Sequence, residues 1–326
     1  FNYISCWLIA LRAYSLPISI MSWLVPFLCA LFDKGNIIYG IIALSGIVIL
    51  HLASNLFDDT LDYILSKRKI DNGQQANFNF QPGKCICIFN GNLSIQDYVF
   101  MCLFLFSMAL IIGIFFISVW GIKLLYIIIP TAILCLLYPI LGCLGCGEII
   151  IAFIFAPMIY LGTYFVMTGF FSLNVLMLSI STGLLSVAVL HTHMLLDYNL
   201  DKKNRKITLC HLCGSQKNAF YLLCLIVFCS YLNILIGTVL NKLSVIYLIT
   251  LWSIPTAYML LKTMKEHLDN PQKIIKYNIL MGAMPELKKA EKKEINFLTK
   301  FLLVRNLISS FTILLCTAIV VEKCIL

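Results

Sequence analysis

Residues 37–62 read IIYGIIALSGIVILHLASNLFDDTLD, an apolar segment of membrane-spanning length that ends in three carboxylates between Asp58 and Asp62. A second apolar segment ends in the same way, at Asp197 and Asp201. Placing one carboxylate at the centre of a bilayer costs about 2.5 to 3.5 kcal/mol. Because the 326 residues contain only 15 acids, their concentration at two helix ends indicates a functional site, with a bound cation as the first candidate.

The composition of the chain predicts an integral membrane protein. It is 61% hydrophobic and 12% charged, with a mean hydropathy of +0.94, and a soluble fold would lack the polar surface to cover this apolar content. A transmembrane helix needs about 20 apolar residues, and this length predicts nine spans. They lie at about 10–32, 36–57, 97–118, 121–141, 148–169, 173–196, 218–240, 243–262 and 301–321.

We therefore expect an all-α polytopic membrane fold, with about nine transmembrane helices around a central cavity. The expected organisation is a single domain over residues 1–326. The first apolar stretch is too long for a signal peptide and precedes eight further spans, so it is predicted to be retained as a helix.

The cysteines of the chain give a weaker signal. Most of the 14 lie inside apolar segments, where they behave as small hydrophobic residues. Two C-x-x-C spacings occur, at 143–146 and 210–213. A zinc site of this kind needs both pairs close together with flanking ligands, which the sequence does not establish. The cysteine pattern alone therefore predicts no metal site.

Basic residues concentrate in alternate loops. The loops after the second, sixth and eighth predicted spans hold most of them, whereas the loops on the other side hold only Lys34, Lys123 and Lys242. By the positive-inside rule, the basic loops and the N-terminus face the cytoplasm and the C-terminal tail lies outside. The predicted cytoplasmic segments are about 58–96 and 197–217, which carry the acids, and a basic segment of about 263–300.

The two acidic runs share one spacing. Asp58 and Asp62 are four residues apart, as are Asp197 and Asp201, so each pair lies on one helical face with Cβ atoms about 5 to 6 Å apart. Each acid of the second pair also follows its counterpart in the first pair by the same 139 residues. This matched spacing favours two helical halves that present matching acids. Mg²⁺ suits such a site because it takes one or two carboxylates and completes its octahedron with water and phosphate oxygens.

A basic cluster directly follows the second acidic pair, at Lys202, Lys203, Arg205 and Lys206. Carboxylates for a metal beside cations for phosphate oxygens describe a diphosphate site. The competing interpretation is a network of salt bridges between helix ends, which explains the charges but not the matched spacing. Asn55, one turn before Asp59, offers a neutral oxygen as a further ligand.

These features resemble the two aspartate-rich motifs of the UbiA superfamily of intramembrane prenyltransferases, which Asn55–Asp62 and Asp197–Asp201 would represent here. Further pieces follow in that family's order: Arg12–Pro17, Gly147–Glu148, Ala156–Pro157, Leu161–Gly169, Leu190–His191 and Lys206–Gly214. The pieces from Gly147 onward are similar to the 1,4-dihydroxy-2-naphthoate prenyltransferase branch. The chain departs from that branch at His193-Met194-Leu195-Leu196, where the branch has Asn-Asn-x-Arg.

The resemblance implies a Mg²⁺-dependent transfer of a polyprenyl group from its diphosphate to an aromatic acceptor, 1,4-dihydroxy-2-naphthoate in menaquinone biosynthesis. It implies a location in a bacterial inner membrane with the active site facing the cytoplasm, a lipid bilayer as partner and no nucleic acid. The implied catalytic metal ligands are Asp59, Asp62, Asp197 and Asp201. The implied substrate-binding residues are Asn55, Asp58, Arg12, Lys202, Lys206, Glu148, His193 and Tyr164.

Three alternatives remain open at this level. A UbiA-type enzyme could use 4-hydroxybenzoate, haem or another lipid as acceptor. A secondary transporter also has intramembrane acids and doubled halves, but it would place the acids near the midplane and not beside basic loops. A CDP-alcohol phosphotransferase also uses aspartates and magnesium, but its D-x-x-D-G-x-x-A-R signature is absent, since Tyr63 follows Asp62 where that signature has Gly.

Overall fold

A computed structural model describes residues 3–71, 85–203, 206–271, 273, 275, 277–284, 287 and 292–325. Arg205 of the predicted basic cluster lies outside the described residues. The helices are α1 (Tyr3–Ala10), α2 (Leu16–Phe32), α3 (Ile37–Asp71), α4 (Ile86–Phe89), α5 (Ile95–Trp120), α6 (Leu125–Gly142), α7 (Gly147–Phe153), α8 (Ile159–Thr168), α9 (Leu173–Leu196), α10 (Tyr198–Lys203), α11 (Leu209–Leu212), α12 (Gln216–Val239), α13 (Ile254–Asp269) and α14 (Lys292–Ile325). Short 3₁₀ segments and one π-helical turn, Ile154–Met158, connect or interrupt them.

The predicted all-α polytopic fold is confirmed. Within the described residues, eight helical stretches are long and apolar enough to cross a membrane. The longest, Ile95–Gly142, contains two of the predicted spans, which a 3₁₀ turn at Gly121–Leu124 separates. Gly121 has a φ of 72°, a conformation that costs a residue with a side chain free energy, so glycine favours the turn here. All nine predicted spans therefore correspond to helices.

Two helix boundaries differ from the prediction. The first span was expected from about residue 10, but α1 ends at Ala10 and Arg12 has a left-handed φ of 49°, which breaks the helix before α2. The second span was expected to end near residue 57, with a loop from residue 58, but α3 continues to Asp71. No glycine or proline occurs between residues 47 and 71, so nothing in the backbone stops the helix where its apolar composition ends.

The chain forms two compact units. The first comprises Phe1–Ile20 and Asn36–Leu141. In this unit α3 packs along α5, and Gly46 makes the approach close, since a Cβ there would lie 3.2 Å from the Ile112 side chain. A core of buried side chains from α1, α3, α4, α5 and the loop between α4 and α5 lies next to the first acidic run: Cys6, Ala10, Leu56, Cys87, Leu93, Tyr98 and Cys102.

The second unit comprises Met21–Gly35 and Gly142–Leu326. Here α9 is the central helix, because it packs against α7, the π-helical turn, α12 and α14. Pro157 lies in the π-helical turn, where its missing N–H is tolerated by the widened backbone. Gly183 of α9 lies against this turn, and a Cβ at that position would be 2.4 Å from the Ala156 Cβ. The second acidic run follows directly at the end of α9.

Candidate active site

The first acidic run lies on α3, in the first unit. The spacing of Asn55, Asp58, Asp59 and Asp62 places them within two helical turns on neighbouring positions of one helix face. Asp59 is buried at 1% exposure and Asp58 at 9%. Two buried carboxylates that are adjacent in sequence repel each other unless a cation lies beside them. The structure places such a cation there, from the turn between α1 and α2.

That cation is Arg12. Its Nη2 donates to Asp58 Oδ2 at 3.3 Å and also to Asp59 Oδ1. Burial alone would lower the pKa of the guanidinium, but the charges of Asp59 and Asp58 outweigh it and raise the pKa above its ordinary value. The guanidinium therefore stays charged. The structure thus brings together Arg12, Asp58 and Asp59, three of the residues that the sequence predicted to share a site.

A chain of hydrogen bonds fixes the backbone around Arg12. Asn55 Nδ2 donates to Ser15 Oγ at 3.1 Å and to the Leu11 carbonyl at 3.4 Å. Ser15 Oγ donates to the Arg12 carbonyl at 2.8 Å, so it accepts from His51 Nε2, 2.9 Å away. Because the Asn55 amide nitrogen is engaged in this way, its oxygen is the atom left to act as a ligand.

His51 of this network was not predicted from sequence. It lies one turn before Asn55 on α3, and its Nδ1 contacts Ser19 of α2. A polar ring inside an apolar segment, four residues before the acidic run, was the signal that could have found it. Its contacts indicate a positioning role, since it contacts Ser15 and Ser19, which follow Arg12 closely in the chain.

The second acidic run lies at the end of α9, in the second unit. Asp197 follows the last residue of α9, and Asp201 lies in α10. The Asp201 N–H donates to the Asp197 carbonyl at 2.9 Å, which preserves the helical spacing of the pair across the break. The sequence prediction that both acids lie on one helical face is therefore compatible with the local backbone.

Each acid of this pair has a cationic or protonatable neighbour. His193 Nδ1 lies 3.4 Å from Asp197 Oδ2, one turn earlier on α9. Lys206 Nζ lies 4.0 Å from Asp201 Oδ1, and Asp201 is buried at 1% exposure. Lys202 is exposed on α10. The second run thus combines acids and bases in one short segment, as the sequence predicted.

His193 also lies against two aromatic rings of α14. The imidazole centroid is 5.3 Å from Phe297 and 5.8 Å from Phe301, both in edge-to-face geometry. Such contacts hold the ring in a fixed orientation. The His193 ring is therefore packed against α14 and is not a freely exposed side chain.

Glu148 and Tyr164 lie at opposite ends of the α7–α8 segment. Glu148 is the second residue of α7, is buried at 2% exposure, and contacts His191. Tyr164 lies 16 residues later, about 24 Å along a helix axis. Its hydroxyl donates to Asp33 Oδ2 at 2.7 Å. The structure therefore does not bring these two predicted substrate-binding residues together, and the substrate role of each stays a prediction.

Comparison with known proteins gives one sequence-level match and several structural ones. The model of the UbiA prenyltransferase family matches residues 16–280. No curated protein matches the chain by sequence. Digeranylgeranylglyceryl phosphate synthase has a similar structure, with a TM-score of 0.60 and 16% identity over 97% of this chain and 100% of that one.

Two solved UbiA homologues have a similar fold. The apo structure from Aeropyrum pernix K1 matches with a TM-score of 0.56 and 13% identity, over 93% of this chain and 97% of that one. The homologue from Archaeoglobus fulgidus, bound to GPP and Mg²⁺, matches with a TM-score of 0.52 and 12% identity, over 95% of this chain and 99% of that one. The TM-scores support a shared fold. The family model spans most of the chain and establishes membership: this integral membrane protein belongs to the UbiA prenyltransferase family.

Proposed function

We propose that this prenyltransferase moves a polyprenyl group from polyprenyl diphosphate to an aromatic acceptor in a Mg²⁺-dependent reaction. The observation that carries the proposal is the pair of aspartate runs with the same four-residue spacing, one on α3 and one at the end of α9. The family relative from Archaeoglobus fulgidus was solved with GPP and Mg²⁺, which supports a prenyl diphosphate as donor.

The proposed metal ligands are Asp59, Asp62, Asp197 and Asp201. Carboxylate oxygens are the ligands that Mg²⁺ prefers, and Asp59 and Asp201 are held in place in the structure by Arg12 and Lys206. When bound, Mg²⁺ would supply charge stabilisation for the diphosphate as it leaves. The donor set of this chain therefore fits the metal.

The remaining charged residues suit the diphosphate. Arg12, Lys202 and Lys206 provide donors for phosphate oxygens, and Asn55 offers its amide oxygen to the metal or its water. The carbon–oxygen bond that breaks leaves an allylic cation, which apolar helices would keep from water. Because the Tyr164 hydroxyl bonds Asp33, in the loop predicted to lie outside, we propose that its ring contacts the apolar tail of the donor and not the reacting carbon. In this proposal residues 1–326 act as one prenyltransferase domain.

The acceptor we propose is 1,4-dihydroxy-2-naphthoate, which places the enzyme in menaquinone biosynthesis in a bacterial inner membrane. The support is the Gly147–Glu148 stretch and the pieces that follow it, which are similar to that branch. His193 and Leu196 replace an asparagine and an arginine of the branch, so 4-hydroxybenzoate, haem or another lipid is the alternative acceptor. A transport function is not proposed, because the family to which the chain belongs transfers prenyl groups.

An acceptor panel tests this proposal. Purified protein in proteoliposomes is given a radiolabelled polyprenyl diphosphate with Mg²⁺ and one acceptor at a time: 1,4-dihydroxy-2-naphthoate, 4-hydroxybenzoate or haem. We expect labelled lipid product with the naphthoate. Product with another acceptor would leave the donor assignment intact and overturn the acceptor, and product without Mg²⁺ would overturn the metal dependence.

A further inference from the structure

A buried cluster of three side chains lies in the second unit, apart from the aspartate pairs. It consists of Glu148 at the start of α7, His191 of α9 and Cys210 of α11. One ligand atom from each lies within 4.8 Å of the other two, and it is the one such group of three within the described residues. The exposed fractions are 2% for Glu148 and 0% for His191 and Cys210.

The hydrogen bonds of His191 fix which ring nitrogen faces the cluster. Nε2 lies 2.9 Å from the Ala219 carbonyl of α12, and a carbonyl only accepts, so Nε2 carries a proton and donates it. Nδ1 then points to the Glu148 carboxylate, whose Oε1 is 3.3 Å away. An imidazole whose far N–H donates to a backbone carbonyl is the arrangement typical of metal-binding histidines.

The distances suit a tetrahedral metal ion. Nitrogen and oxygen ligands at about 2.0 to 2.2 Å from zinc lie about 3.3 to 3.6 Å apart, which the Nδ1–Oε1 distance of 3.3 Å matches. Cys210 Sγ lies 3.6 Å from Nδ1 and 3.7 Å from Nε2, so the sulfur lies over the ring. Zinc binding would require the Cys210 side chain to turn from the face of the His191 ring toward the carboxylate.

The charges of the three side chains also suit a bound divalent metal ion. A buried carboxylate needs a compensating charge, and Glu148 is nearly inaccessible to solvent. Without a metal, burial and the charge of Glu148 raise the pKa of the Cys210 thiol, so it remains protonated. A divalent ion beside one carboxylate, one thiolate and a neutral imidazole gives a neutral site, and the thiol proton is released to solvent.

We propose that Glu148, His191 and Cys210 bind a structural zinc ion, with water or another donor as fourth ligand. A nitrogen, a sulfur and one oxygen select zinc over magnesium, which prefers oxygen ligands alone. The ion ties α7, α9 and α11 together and thereby holds α11 against the end of α9, next to the second aspartate pair. The proposal does not depend on the acceptor or on prenyl transfer.

Metal analysis of the purified protein tests the proposal. The full chain is purified through a tag that does not bind metals, and zinc per chain is measured by mass spectrometry. We expect stoichiometric zinc in the wild type, and a loss of most of it in Cys210→Ser and in Glu148→Gln. Cys229→Ser, in α12 and about 15 Å along its axis from Ala219, is the matched control and should retain the ion.

Two further measurements distinguish zinc bound at this site from zinc bound elsewhere and from zinc lost through unfolding. The variant with Asp197→Asn and Asp201→Asn should keep its zinc, because the aspartate pair is not part of the site. Exchange with Co²⁺ should give a thiolate-to-cobalt charge-transfer band that Cys210→Ser lacks, and size-exclusion chromatography reports whether each variant is folded. Substoichiometric zinc with no such band in folded wild-type protein would overturn the proposal and leave an imidazolium–carboxylate pair with a neighbouring thiol.

Discussion

At the scale of single residues, the Arg12 guanidinium joins two acids of the first aspartate run. Arg12 donates to both Asp58 and Asp59, and its own backbone adopts a left-handed φ of 49° to reach them. Such a conformation costs about 1 to 2 kcal/mol for a residue other than glycine. The chain therefore tolerates local strain to keep a cation beside two buried acids.

Replacing Arg12 by glutamine tests this contact. The change removes the cation next to Asp59, and hydrogen bonds to charged groups contribute about 1.5 to 3 kcal/mol, so we expect a loss of stability of that size. Thermal unfolding in detergent measures it, with the exposed Lys242→Gln as control. Equal melting temperatures for the two variants would show that the Arg12 contact contributes nothing to stability.

Tyr164 offers a second test at this scale, because its hydroxyl and its ring have different predicted tasks. Tyr164→Phe removes the hydrogen bond to Asp33 and should lower stability by about 1.5 to 3 kcal/mol while turnover persists. Tyr164→Leu also removes the ring and should lower turnover as well, if the ring contacts the prenyl tail. The exposed Tyr126→Phe is the matched control.

The two Tyr164 variants can contradict the account in different ways. Wild-type turnover by a folded Tyr164→Leu protein would show that the ring has no substrate role. Wild-type stability of Tyr164→Phe would show that the bond to Asp33 is not made in the membrane.

At the scale of elements, the close approach of α9 to the π-helical turn holds the second unit together. Gly183 leaves no room for a Cβ, which would meet the Ala156 Cβ at 2.4 Å. Gly183→Ala should therefore separate the two elements and destabilise the protein by about 1 to 3 kcal/mol. Thermal unfolding reports the change.

Gly113→Ala in α5 is the control for that substitution. The nearest atom to its Cβ would be 3.7 Å away, an ordinary contact, so the same change should leave stability equal or raise it by up to about 1 kcal/mol. A destabilisation at Gly113 as large as at Gly183 would mean that loss of glycine, and not the contact with Ala156, causes the effect.

The elements also show how far the sequence could predict this structure. The length of the apolar segments located all nine spans, because a helix that crosses lipid must be long and apolar. The same criterion placed the end of α3 fourteen residues too early, since polar residues can continue a helix beyond the apolar segment. The aspartate spacing was readable because it is local. The contact partners of Glu148 and His51 could not be predicted from the sequence, because they lie on helices distant in sequence and are brought close by tertiary packing.

At the scale of the whole molecule, the lysine distribution predicts the orientation in the membrane. Of the 14 cysteines, only Cys143 and Cys324 are exposed. Cys143 precedes α7 on the predicted cytoplasmic side, and Cys324 lies near the end of α14 on the predicted outer side. A membrane-impermeant maleimide should therefore label Cys324 in intact cells and Cys143 in inverted vesicles.

Single substitutions assign each label in that experiment. Cys324→Ser should abolish labelling of intact cells and leave labelling of inverted vesicles, and Cys143→Ser should do the reverse. The opposite pattern would invert the predicted topology and place both aspartate runs outside the cytoplasm.

The measurement that tests the central proposal most directly is Mg²⁺-dependent release of diphosphate from a polyprenyl diphosphate by purified protein. We predict that Asp197→Asn with Asp201→Asn lowers the rate at least about a hundredfold, because lost charge stabilisation at a reacting centre has effects of that order. Asp269→Asn, an exposed acid at the end of α13, should retain the wild-type rate. Undiminished, Mg²⁺-dependent release by the folded double variant would contradict the assignment of the aspartate pair to the reaction.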